Sequence, residues 1–190
     1  MSIVLAFVFA VLGWSGPVFA QLPPDVYNTP RPLTNEQVST LKSYVEQNVK
    51  KIKSRDSREL ADARRSLLDP FRRDTSRTFR MAYNDALSPE LAKLAPDEAA
   101  AMASRQAAIQ ILGSVASDES DSALRGLLSS DLPAIRYAAA TAYERSMMAI
   151  RQDRHSYTNP LQGEKNVARY LREAIGVEAN GSVLRALASA

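Results

Sequence analysis

From residue 34 to the C terminus, apolar side chains recur three and four positions apart. No stretch alternates apolar with polar residues as a half-buried strand would. Val38, Leu41, Val45, Val49 and Ile52 draw one helical stripe; Leu60, Ala63, Leu67 and Leu68 draw a second; Phe79, Ala82, Tyr83, Ala86 and Leu87 a third. Further stripes follow at Ala123, Leu124, Leu127 and Leu128, at Ile135, Ala138, Ala139, Ala142 and Tyr143, and at Val167, Leu171, Ala174 and Ile175. Val183, Leu184 and Leu187 form the last. The chain is therefore expected to be all-α.

Polar and proline punctuation divides these stripes. Thr34 and Gln37 have capping-box spacing, in which each side chain serves the other's backbone N–H. Asp56 and Ser57 separate the first helix from the second. Asp69-Pro70 is expected to stop the second, because proline disfavours the α conformation in the residue before it. Ser88-Pro89 reads as a cap followed by proline at the first helical position. Ala95-Pro96-Asp97 repeats that pattern ahead of an alanine-rich helix predicted over 97–116. Residues 117–121 read as a polar turn, 129–133 as the opening of another helix and 155–163 as a loop. Gly176 closes the helix that follows the loop, and Asn180-Gly181 forms a turn. Four prolines make residues 21–33 a proline-rich linker, extended and with little to bury.

The first twenty residues read as a secretory signal peptide. Residues 3–12 are an unbroken apolar run, Gly13, Gly16 and Pro17 break any helix, and Val18 and Ala20 stand where a signal peptidase requires small residues. Cleavage is expected between Ala20 and Gln21. The n-region carries no Lys or Arg, a departure from the usual pattern. The apolar run is short for a membrane span, which needs about 20 residues. A secreted or periplasmic protein with no transmembrane span after cleavage is the expectation. The domain boundaries that follow are 1–20 signal peptide, 21–33 linker, 34–95 N-terminal helical segment and 96–190 a second helical region.

Several chemistries are excluded by composition. The chain has no cysteine, so disulfides, thiolate zinc sites and cysteine nucleophiles are ruled out. His155 is the single histidine. It stands beside Ser156, but adjacent residues do not meet in triad geometry and no GxSxG turn occurs, so a surface histidine at a helix end is expected. Asp118, Glu119 and Asp121 lack the glycine and the closing glutamate of a calcium loop and read as first-turn acids of a helix. The carboxylate pairs Glu59/Asp62 and Asp97/Glu98 also lie at helix starts. The glycines form neither GxGxxG nor a Walker motif. No cofactor, metal or catalytic residue is expected.

The charge distribution is uneven. Residues 41–80 carry twelve basic side chains against six acidic ones, although the whole chain is only +3. Lys50, Lys51, Lys53, Arg55, Arg58, Arg64 and Arg65 are the candidate site for an anionic partner, such as an envelope polymer or lipid headgroups. A solvated helical face is the structural alternative. Nucleic acid is not expected, since no aromatics interleave with the charges and the expected compartment is wrong. Tyr137 and Tyr143, six apart on one helix, are candidate partner-surface residues, one expected to pack and the other to face outward.

An internal repeat completes the sequence reading. Residues 105–112 and 136–143 align at an offset of 31, matching Arg105 with Arg136, Ala107 with Ala138 and Ala108 with Ala139. Residues 122–142 resemble the HEAT-like helical repeat: a short apolar helix, a turn holding Asp131 and Pro133, the Ile135-Arg136 pair, then an alanine ladder. The likeness is fair over 97–116 and weak over 167–188. It implies a short right-handed superhelix of antiparallel helix pairs, with Asp131 capping its helix and Arg136 bonding to the neighbouring repeat. It also implies a docking surface for a protein partner. The leading functional expectation is thus a non-catalytic module for protein–protein interaction. The alternatives are an anionic-polymer or lipid binder and, third, an enzyme with a cleft assembled from scattered residues.

Overall fold

The computed structural model describes residues 22–29 and 31–190. The expected cleavage junction at Ala20–Gln21 lies outside the described residues. The described chain is all-α, with no strand among the described residues. After α1 (Pro24–Tyr27) come α2 (Asn35–Ile52), α3 (Ser57–Arg72), α4 (Arg77–Leu94), α5 (Met102–Val115), α6 (Asp118–Leu127), α7 (Pro133–Arg151), α8 (Pro160–Ile175) and α9 (Gly181–Ser189).

From α2 onward the helices build two layers, α2, α4, α6 and α8 in one and α3, α5, α7 and α9 in the other. Substantial contacts join neighbours in chain order or next neighbours within a layer; α2 against α5 is the single longer step. Each helix has one apolar stripe and cannot cover it alone, so the next helices do. The resulting core is one cluster that runs from Leu22 to Leu187. Helices on both sides of residue 96 contribute to it: α3 and α4 both pack on α5.

Most helix starts are capped as their sequences dictate. Thr34 and Gln37 form the capping box of α2. Asp56 accepts from the Arg58 and Glu59 N–H groups, and Ser76, Asn159 and Asn180 serve α4, α8 and α9 in the same way. The α5–α7 contact is close. A methyl group on Gly113 would lie 2.5 Å from the Ala142 carbonyl oxygen and 2.7 Å from its Cα. The Ser146 hydroxyl bonds the Gly113 carbonyl at 3.1 Å across this contact.

Five expectations need correction. Pro70 does not end α3, which continues to Arg72. The carbonyl that proline leaves without its N–H partner is that of Ser66, and the Tyr44 hydroxyl of α2 donates to it at 2.7 Å. Pro89 lies inside α4 instead of opening a helix; it and Asp85, whose carbonyl loses a donor, are both exposed, so water can serve that group. The helix predicted from residue 97 begins at Met102, because the Asp97 carboxylate accepts from the Ala99 N–H and holds a turn there. The polar turn expected over 117–121 is instead a helix start, with Asp118, Glu119 and Asp121 as its expected first-turn acids: Ala116 takes a left-handed conformation (φ 48°) that reverses the chain, and Ser117 and Ser120 form a capping box for α6.

The last correction concerns the linker, which is neither fully extended nor free of buried surface. Pro23 and Pro24 lead into α1, and Leu22, Val26 and Tyr27 are buried. The Tyr27 ring lies 5.0 Å from that of Phe79, and the Tyr27 carbonyl accepts from the Ser76 N–H.

Two glycine substitutions test the packing. Gly113→Ala should lower stability by about 1–3 kcal/mol, the usual cost of forcing a group into a filled contact. Gly126→Ala, in α6 with nothing within 4 Å of the added methyl, should raise it by roughly 0.5–1 kcal/mol from helix propensity. Chemical denaturation of the two variants beside the parent chain measures both; equal effects would contradict the close α5–α7 crossing.

Candidate functional site

The seven basic candidates do not form one patch. Lys50, Lys53, Arg55 and Arg58 are exposed around the α2–α3 turn, with Lys51 half-buried among them. Arg65 pairs with Asp62 at 3.3 Å and, with it, lines a groove beside the N-terminal arm. Arg64 turns the other way. Its guanidinium donates to the Gln110 side-chain oxygen of α5 at 3.3 Å.

That contact marks the edge of a groove of about 290 Å³ across α3, α5 and α7. Leu68, Phe71 and Arg72 come from α3, Gln110 and Ser114 from α5, Arg145, Met148 and Ala149 from α7, and Gln152 and Arg154 from the chain just beyond. The floor is apolar, and Met148 on it is 48% exposed. The rim is cationic, and no lining residue is acidic. Among the described residues, no carboxylate forms an ion pair with Arg64, Arg72, Arg145 or Arg154. Burial lowers the Arg145 pKa from the ordinary arginine value; the Glu144 charge opposes this and the Arg64 charge adds to it. The groove therefore holds mutually repelling cations with unused hydrogen-bonding capacity.

His155 is not the surface residue expected. It is 3% exposed, because residues 155–157 fold into the body of the protein. Arg80 donates to the His155 carbonyl and Arg77 to the Tyr157 carbonyl; the Ser156 hydroxyl donates to the Arg80 carbonyl, and the Ser156 N–H to that of Ala116. The Tyr157 hydroxyl donates to the Asp121 carboxylate at 2.6 Å, and the Tyr143 hydroxyl to the Asp121 carbonyl at 3.0 Å. The Tyr157 ring fills the space beside Gly163, 2.8 Å from where a methyl would sit. His155 Nε2 lies 3.4 Å from the exposed Asp153 carboxylate, and Nδ1 has no hydrogen-bond partner among the described residues. These groups pack against one another and their hydrogen bonds tie the loop down. Ser156 is bonded to backbone and not aimed at His155.

The remaining candidates separate clearly. Tyr143 is fully buried and cannot be a partner surface, while Tyr137 is 48% exposed. Asp131 does not cap α7: it lies one residue outside the N-cap, which is Leu132, and no side chain caps this helix. Instead the Ser130 and Asp131 carbonyls both accept from Arg136. Arg136 also grips Glu178, between α8 and α9, with two hydrogen bonds of 2.6 and 2.9 Å. Those bonds, with the Asn180 N–H, hold the Glu178 carboxyl down at about 2.

Compared with known proteins, the chain matches no family model, and no curated protein matches it. The groove residues that sequence reasoning missed are Arg72, Gln110, Arg145, Met148 and Arg154. Arg72 belongs to the basic stretch of 41–80, but Arg145 and Arg154 lie in the half whose net charge is negative.

Asp121 supplies a test of the buried loop. Burial pushes its carboxyl up to about 7, against the lowering effect of the Tyr157 hydrogen bond and with a further push from Asp118. An unfolded aspartate titrates near about 3.9, so between roughly pH 4 and 7 the folded chain binds the extra proton. Stability should therefore fall as pH rises through this window and level off above it. Asp121→Asn, which keeps an acceptor for Tyr157, should flatten the melting temperature between pH 5 and 8 and raise it at pH 8. Parallel curves for the two proteins would refute the assignment.

Proposed function

We propose that the chain is an exported, non-catalytic docking module that holds a protein partner in the groove across α3, α5 and α7. The observation that carries this reading is the groove itself: arginines from separate helices stand around an apolar floor without carboxylates to pair with. Arginine at the edge of an apolar patch is a frequent energetic anchor in protein interfaces, because its planar head makes directional bonds while its stem packs. The HEAT-like sequence pattern of 122–142 and the layered stack both suit such a role, since a row of parallel helices offers a long surface instead of a closed pocket. The second reading, binding of an anionic polymer or lipid surface, rests on the exposed cationic turn between α2 and α3.

Site-specific photo-crosslinking separates the two. A photoreactive residue replacing Met148 should capture one protein species in cells, while the same residue replacing Lys53 should capture none. Neutralising Lys50, Lys53 and Arg55 together should leave the Met148 crosslink intact. Crosslinking at 53 alone, to lipid or polysaccharide, would favour the second reading over the first.

A further inference from the structure

We infer that the segment held in the groove is an extended acidic peptide of about six residues that carries one large apolar side chain. This rests on the docking reading above and specifies its partner. The charge is set by Arg64, Arg72, Arg145 and Arg154, which have no carboxylate partners among the described residues. Guanidinium groups match carboxylates in planar, two-point geometry.

The length is set by spacing. The cations are borne by α3, by α7 and by the chain just after α7, with α5 between. Packed helices lie about 8–10 Å apart, so two steps span roughly 18 Å. An extended chain covers that with about six residues at about 3.3 Å each. A compact anion such as phosphate could reach only part of the set.

The apolar requirement comes from the floor. Phe71 is half-buried and Met148 about half-exposed, so both gain from being covered. Methionine adapts its shape to the group that covers it. The volume, about 290 Å³, is at the lower limit for small-molecule pockets and suits one inserted side chain on a strand that continues past it.

Peptide is favoured over lipid or polyanion by the two amides. Gln110 already accepts from Arg64 through its side-chain oxygen and keeps its NH₂ group to donate; Gln152 forms no side-chain hydrogen bond to another described residue, so both its donor and its acceptor are open. A peptide group presents both a C=O and an N–H, and so satisfies both ends of such an amide. Phosphate or sulfate oxygens offer acceptors alone.

The test uses the whole purified chain and a fluorescein-labelled octapeptide in which glutamates surround a central phenylalanine. Fluorescence anisotropy should show binding that weakens as salt is added. Exchanging the glutamates for glutamines should cost tenfold or more in affinity. R72Q/R154Q, which alters only exposed side chains, should cost as much, with an unchanged circular dichroism spectrum. Met148→Asp should also weaken binding. Equal affinity for the glutamine peptide, or no loss in R72Q/R154Q, overturns the acidic-peptide inference and leaves the docking reading to the Met148 crosslink. Binding of phosphatidylglycerol vesicles but not the peptide, lost in R72Q/R154Q, overturns both.

Discussion

The structure depends on the absence of a side chain at Gly113. At that point α5 and α7 come so close that a single methyl would collide with backbone as well as with the Ala142 side chain. Ala107, Ala108, Ala139 and Ala140 extend the small-residue surface on both helices, and all are buried. Close approach brings long stretches of the two helices into dispersion contact, which is how small residues contribute despite their modest apolar area. The same crossing also places the groove. Gln110 and Ser114 flank Gly113 on α5, and Arg145 and Ala149 follow Ala142 at one and two turns along α7. Anything that pushed these helices apart would widen the groove floor and separate Gln110 from Arg145.

A second constraint lies at the other end of α7. The chain leaves this helix through Asp153, which has a left-handed backbone (φ 53°), and drops residues 155–157 between distant elements. A buried loop must find partners for its backbone groups. Here Arg77, Arg80 and Ala116 provide them, so α4, the α5–α6 reversal and the start of α8 are fastened together. The fastening bridges positions roughly eighty residues apart in sequence, whereas most packing in the stack is between neighbours. It also fixes the exit of α7, and with it Gln152 and Arg154 at the end of the groove.

How much of this was legible in the sequence follows from range. The Thr34–Gln37 box and the stripes on α2 and α3 are local matters of spacing, and spacing was enough; that one of Tyr137 and Tyr143 packs could also be read from spacing, but not which. Pro70 misled because the group that offsets it, the Tyr44 hydroxyl, belongs to another helix. The N-terminal arm misled for the same reason: nothing near Tyr27 in sequence announces Phe79 as its neighbour. His155 reads as a surface residue until Arg80 and Ala116 are brought to its loop. The basic stretch of 41–80 was visible, but counting charge along the chain could not show that Arg64 and Arg65 face opposite ways. Nor could it show that Arg145 and Arg154 join Arg64 and Arg72 across the stack.

The electrostatics of that joining carry the functional argument furthest. Some arginines outside the groove are paired: Arg73 with Asp69, Arg65 with Asp62 and, most completely, Arg136 with Glu178. The groove arginines form no ion pair among the described residues, and Arg145 is partly buried between the charge of Glu144 and the smaller repulsion of Arg64. The Glu144 charge offsets part of that burial, but a partly desolvated cation with no ion-pair partner does not recover all of its lost hydration. A carboxylate of the proposed acidic segment would supply the ion pair that Arg145 lacks. It would do so in a setting drier than bulk water, where the attraction is stronger.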